Sequence, residues 1–147
     1  MNQRQPDNQA LYATGLRLWN EWTVMWNERP ELALEIVASH FTLHLPAPSA
    51  VDQTTVTTPE AVMRWVTAHR ATFKRLQFHT RTGPFVDTVA GVVAGPWYAE
   101  ASLAGTERWV CGMDTIAFHE GKITAYWTLS KEVADVARWS LPLTTRT

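Results

Sequence analysis

Residues 109–129, WVCGMDTIAFHEGKITAYWTL, decide how the rest of this chain is read. Two runs of alternating side chains meet at Glu120-Gly121, where glycine accepts the positive φ that a tight hairpin turn needs. A two-residue turn pairs Phe118 with Ile123, Ile116 with Ala125 and Asp114 with Trp127. Side chains alternate across a strand, so one face carries Val110, Gly112, Asp114, Ile116, Phe118, Ile123, Ala125 and Trp127. Asp114 is the lone carboxyl of that face. Among apolar neighbours it must be hydrogen-bonded, neutralised or set in a cavity.

From Leu76 onward the apolar period is two, which predicts strands at 77–88, 92–103, 107–118 and 122–129. The turns fall at Ala90-Gly91, Gly105-Thr106 and Glu120-Gly121, and their shortness makes neighbouring strands antiparallel. With a two-residue loop at Gly105-Thr106, Trp97 opposes Asp114, Ala99 opposes Gly112 and Ala101 opposes Val110. Trp97 and Trp127 then flank the carboxyl, while Ala99, Ala101, Gly112 and Ala125 leave room for a cavity. An odd-length loop would flip this arrangement. The opposite face carries Tyr98, Trp109, Cys111, Met113 and Tyr126. It is too apolar to be left in water, and it predicts a homodimer through the outer face of the sheet.

Upstream, Tyr12, Gly15, Trp19, Trp22 and Trp26 recur every three or four residues and share one helical face. Such a stripe packs against a sheet, and its bulk also suits the wall of a pocket for a flat ligand. Pro30 opens a second helix that buries Leu32, Ala33, Ile36 and Val37 and runs out near Ser39-His40. Phe41 to Pro46 then alternates as a short strand. His40 and His44 straddle that junction, so their side chains diverge, and no third residue completes a metal site. Residues 46–57 read as a loop with a short strand at Thr54–Thr57. Thr58-Pro59-Glu60 is a strong helix start, and the helix to Leu76 buries Val62, Trp65, Val66, His69, Phe73 and Leu76. A histidine on such a stripe is more often structural than catalytic.

The 147 residues are 46% hydrophobic and 18% charged, with a net charge of −1, as in a single soluble domain. That charge offers no basic surface for nucleic acid or an anionic membrane. No segment approaches the ~20 apolar residues of a membrane span. One cysteine excludes an intrachain disulfide and fits a reducing, cytoplasmic setting. We read residues 1–9 as a frayed start and 10–130 as one domain. Residues 131–147 form a C-terminal extension that begins with a short helix at 131–139.

No phosphate loop, nucleotide fingerprint, Cys/His metal set or nucleophile elbow is present, so no cofactor is expected. The remaining chemistry is one carboxyl among aromatics. Asp114 is the candidate acid–base residue and His69 its candidate partner. Trp22, Trp26, Trp65, Trp97 and Trp127 would hold a small, flat, apolar molecule. Packing is the alternative: Asp114 bonded to a buried neighbour such as His69 or Trp22, in a module that binds without catalysis.

The order helix, helix, short strand, helix, four long strands resembles the nuclear transport factor two-like superfamily over residues 11–130. The spacing of Gly112, Asp114 and Phe118 before Gly121-Lys122-Ile123 is most similar to its ketosteroid isomerase and SnoaL-like polyketide cyclase branches. The resemblance implies an α+β, cystatin-like cone: a bent antiparallel sheet wrapped by about three helices, with a cavity at the open end and frequent dimers. In the isomerases the carboxyl at the Asp114 position is protonated and belongs to the oxyanion hole. Their general-base aspartate falls at Leu45 here, and Trp22 or its neighbours stand where their first-helix tyrosine would be. The cyclase-like branch, which needs one carboxyl in an apolar pocket, fits this chain better.

Overall fold

The computed structural model describes residues 7–80 and 82–134. The first helix, α1 (Asn8–Asn27), starts where the Asp7 carboxylate accepts the Gln9 N–H at 3.3 Å. It therefore begins inside the stretch read as frayed. Its buried side is Gly15, Leu18, Trp19, Trp22, Met25 and Trp26, whereas Tyr12 is exposed. A 3₁₀ turn at Pro30–Leu32 leads into a short helix, α2 (Ala33–Ile36). Strand β1 (Val37–His44) follows at once, so the second helix stops well before Ser39-His40. The expected strand at Thr54–Thr57 is instead a 3₁₀ turn over Gln53–Thr55. In α3 (Pro59–Ala71) the Thr58 hydroxyl accepts the Ala61 N–H at 3.2 Å. Val62 and Val66 reach the core, and the helix ends at Ala71 rather than Leu76.

Five further strands follow: β2 (Arg75–His79), β3 (Phe85–Asp87), β4 (Val92–Leu103), β5 (Thr106–His119) and β6 (Lys122–Val133). The strand expected at 77–88 is broken around Gly83-Pro84, where Gly83 has φ +80° and proline supplies no ladder donor. The sheet order is β1-β6-β5-β4-β2, with β3 also pairing β4. All pairs are antiparallel except β1 with β6, which makes the sheet mixed rather than wholly antiparallel. The architecture is an α+β cone, a bent sheet with helices over one face. Lys131 to Val133 extend β6, so the expected helix at 131–139 does not begin there, and its remainder lies outside the described residues.

Two register differences matter for the site. The β4–β5 turn sits at Ala104-Gly105, with φ of 50° and 77°, so Trp97 pairs with Gly112 and Gly95 with Asp114. This is a shift of two residues and leaves every side chain on its expected face. The β5–β6 turn falls at Glu120-Gly121, and Phe118 pairs with Ile123 as predicted. A bulge at Ala117/Phe118 then moves the pairing by one, giving Ile116 with Tyr126 and Asp114 with Thr128. That single step turns Trp127 outward and Tyr126 inward. Trp127 is 41% exposed and stacks on His44, with centroids 4.6 Å apart and planes at 6°, while Tyr126 is buried. Cys111 is buried as well, so the outer face exposes Met113, Trp127 and Leu129 rather than Tyr126 or Cys111.

The Asn27 side chain locks the end of α1 to β2. Its amide donates to the Phe78 carbonyl at 3.0 Å and accepts the Phe78 N–H at 2.8 Å, standing in for a missing strand partner. The Arg70 guanidinium of α3 donates to the Asn27 carbonyl at 2.7 Å, joining the two helices there. Replacing Asn27 with Ala strands both Phe78 backbone groups, and a loss of about 1–3 kcal/mol is expected by urea denaturation. An unchanged midpoint would contradict this role.

Candidate functional site

Between the helices and the inner face of the sheet lies a cavity of about 390 Å³. The buried stripe of α1 contributes Trp19, Trp22 and Trp26, and α3 contributes Trp65 and His69. Phe78 comes from β2, Trp97 from β4, and Asp114 from β5. Tyr126 and Thr128 of β6 complete the floor, and Leu45 and Pro46 stand at the end of β1. Leu45 thus lines the cavity with a side chain that cannot take a proton.

The seat of Trp97 depends on a neighbour with no side chain. A Cβ on Gly112 would lie 2.3 Å from Trp97 Cζ2, so only glycine lets the indole cross β5 at this pair. In that position Trp97 Nε1 donates to Asp114 Oδ1 at 2.7 Å. The Tyr126 hydroxyl donates to Asp114 Oδ2 at 2.9 Å. Both carboxyl oxygens are thus engaged, and neither His69 nor Trp22 is the partner of either.

Asp114 is only 7% exposed. Burial pushes its carboxyl up from 3.8 to about 6, and the contacts with Thr128, Trp97 and Tyr126 pull the other way. Burial and the adjacent carboxylate hold the Tyr126 phenol well above its ordinary range, so it stays a donor at neutral pH. At pH 7 most of Asp114 is ionised, and three donors leave at least one of its lone pairs open. The group can accept a proton or a positive charge, and it recovers a proton just below neutrality.

Of the residues expected at the site, Asp114, His69, Trp22, Trp26, Trp65 and Trp97 share this cavity, and Trp127 does not. His69 sits at its edge, its ring 5.5 Å from that of Trp26 at 89° and 5.4 Å from Phe73. Partial burial lowers its pKa, so the imidazole is neutral at pH 7. Phe78 and Tyr126 join the site without having been expected there, and Trp19 joins it from the stripe read as suited to a pocket wall, though it was not among the named ligand-holding residues. Trp19 lies on the same helical stripe as Trp22 and Trp26, whereas Tyr126 is brought in by the bulge.

Solved structures of low sequence identity share this architecture. A candidate polyketide cyclase from Acidithiobacillus ferrooxidans superposes with a TM-score of 0.67 at 18% identity, over 80% of this chain and 88% of that one. A candidate SnoaL-like polyketide cyclase from Jannaschia gives 0.64 at 14% identity, over 89% and 92%. The chain has the nuclear transport factor two-like fold. A third structure of this fold is a protein from Catenulispora acidiphila with a ketosteroid isomerase-like fold, solved in complex with trimethylamine. It gives a TM-score of 0.64 at 16% identity, over 76% and 83%. No family model matches the sequence, and no curated protein sequence is significantly similar to it.

The raised Asp114 pKa makes stability depend on pH with a definite sign. Between about pH 4 and 6 the folded chain holds a proton that the unfolded chain has lost, so stability falls as pH rises through that window. Above it both states are ionised and the full cost, about 3 kcal/mol, is present. Denaturation of wild type and Asp114→Asn at pH 4 and pH 7.5 should show a steeper fall in the wild type. Parallel pH profiles would mean that the carboxyl is not destabilised by burial.

Proposed function

We propose that this protein is a cofactor-independent acid–base catalyst of the isomerase, cyclase or dehydratase type, acting on a small, largely apolar, cyclic or aromatic molecule. The observation that carries the reading is the Asp114 carboxyl, buried at the floor of a tryptophan-lined cavity with a pKa of about 6. A buried base with a pKa near the working pH combines the correct charge state with driving force for proton transfer. In this reading Asp114 takes a proton from an acidic C–H group and returns it to the same or another carbon. Trp97 and Tyr126 act as positioning residues: they fix the carboxyl through one oxygen each and steady its charge. The apolar walls orient the substrate and keep water from the developing carbanion. His69, neutral and within the same cavity, is the candidate second proton carrier.

The neighbours named as candidate polyketide cyclases and isomerases support this choice of reaction class through the fold they share. The second reading is a module that holds its ligand unchanged. It is favoured by Leu45, which leaves the cavity without a second carboxylate where the isomerase pattern has its base. We also read the working form as a cytoplasmic homodimer that covers Met113, Trp127 and Leu129 on the outer sheet face. A mass of one chain by sedimentation at micromolar concentration would contradict the dimer.

The catalytic test can be run without the natural substrate. Aromatic and cyclic ketones are incubated with the protein in D₂O, and exchange of their α-protons is followed by proton NMR. Wild type should accelerate exchange for at least part of the series, and Asp114→Asn should lower the rate by about 10²–10⁴-fold. Ketones that bind without exchanging in either protein would leave the binding module as the answer.

A further inference from the structure

The aromatic residues of the cavity are not stacked on one another. They form a closed belt in which each member touches the next. Trp97 meets Phe78 at a centroid distance of 5.1 Å, and Phe78 meets Trp26 at 5.5 Å. Trp26 meets Trp65 at 5.0 Å, and Trp65 meets Tyr126 at 6.1 Å. Asp114 closes the circuit, bonded to Tyr126 on one side and Trp97 on the other. Successive ring planes are inclined by 66°, 57°, 90° and 53°, so neighbouring rings meet at corners, as the walls of a box do, and none lies flat on the next. All six residues line the cavity.

The charge of this box is one-sided. No Lys or Arg lines it among the described residues, and Asp114 has no ion-pair partner there. The Nε1 atoms of Trp22 and Trp26 are sealed from the cavity, so these residues present ring carbon to it, and the Trp97 N–H is spent on Asp114. An aromatic face carries the negative part of the ring quadrupole and attracts cations. The lining therefore offers a ligand four inclined aromatic walls, a phenol and a carboxylate, and no positive charge of its own.

We propose that the cavity selects ligands bearing a cationic nitrogen, an alkylammonium group enclosed by the Trp97–Phe78–Trp26–Trp65–Tyr126 belt and paired with the Asp114 carboxylate. The inference shares the cavity and Asp114 with the function proposed above, but it concerns the charge of the ligand and does not depend on proton transfer. It narrows the ligand class from small apolar molecules to those that carry an amine or quaternary ammonium group beside their apolar part. The same carboxylate supplies a counter-charge that offsets the hydration such a group loses on leaving water.

The probes are choline and 3,3-dimethyl-1-butanol, which have the same shape and differ in the charge of the central atom. Binding is followed through the indole N–H resonances. Choline should bind at least tenfold more tightly than the alcohol. In Asp114→Asn that preference should fall below threefold. In Trp65→Leu, which keeps an apolar surface but removes a ring, choline should weaken while the alcohol does not. Equal or tighter binding of the alcohol would overturn the cationic inference and leave a neutral apolar cavity, with the proposed acid–base function intact. Binding of neither probe would overturn it too; the ketone exchange experiment would then decide separately whether the acid–base reading stands.

Discussion

Asp114 holds the inner face of the sheet to a particular arrangement. Its two carboxyl oxygens accept the Trp97 indole on one side and the Tyr126 hydroxyl on the other, at 2.7 and 2.9 Å, so one buried group joins side chains from β4, β5 and β6. A buried carboxyl is costly unless its oxygens are satisfied, and here two neutral donors meet that need without supplying a counter-ion. The group stays chemically unfinished: bonded well enough to be tolerated, yet destabilised enough to titrate near pH 6. The cavity around it follows from the same set of residues. Trp97 can reach the carboxyl only because Gly112 has no side chain, so the indole fills the room over that glycine; none of the small sheet residues Ala99, Ala101, Gly112 and Ala125 lines the cavity, which the three tryptophans of α1 wall instead.

The β-bulge at Ala117/Phe118 is the second constraint. Without it, Trp127 would point at Asp114 and Tyr126 at solvent; with it, the floor of the cavity gains a phenol in place of an indole. The exchange matters chemically. A phenol can both donate and accept, whereas an indole N–H can only donate, so Tyr126 can follow the protonation state of its neighbour. Trp127, displaced to the outer face, packs flat on His44 and becomes part of the surface.

Much of this was legible in the sequence, for identifiable reasons. The alternation from Leu76 onward and the glycine turns predicted the hairpins, and a carboxyl in an apolar run pointed to Asp114. The misplaced β4–β5 turn did no harm, because a shift of two residues preserves the face of each strand, and Trp97 still met Asp114. The bulge changed the outcome because its shift is one residue, and it left no mark in a stretch where Ala117 and Ala125 are small enough for either face. The parallel pairing of β1 with β6 was equally hidden, since alternation reports which face a side chain takes and not which strand lies beside it. The belt of inclined rings depends on side-chain angles that no spacing encodes. Trp19 shows the limit from the other side: its place on the helical stripe was evident, but its contact with Gly95 was not.

The most direct test of the account is an NMR titration of the Asp114 carboxyl carbon, assigned with Asp114→Asn and followed together with the Trp97 indole N–H. A midpoint near 6, with the indole resonance moving at that same midpoint, is the expected result. It would place a buried, indole-bonded carboxyl at the floor of the cavity. A midpoint near the ~4 of a free carboxyl, or an indole that ignores the titration, would mean that the carboxyl is solvated or differently paired, and the acid–base site built around it would be contradicted.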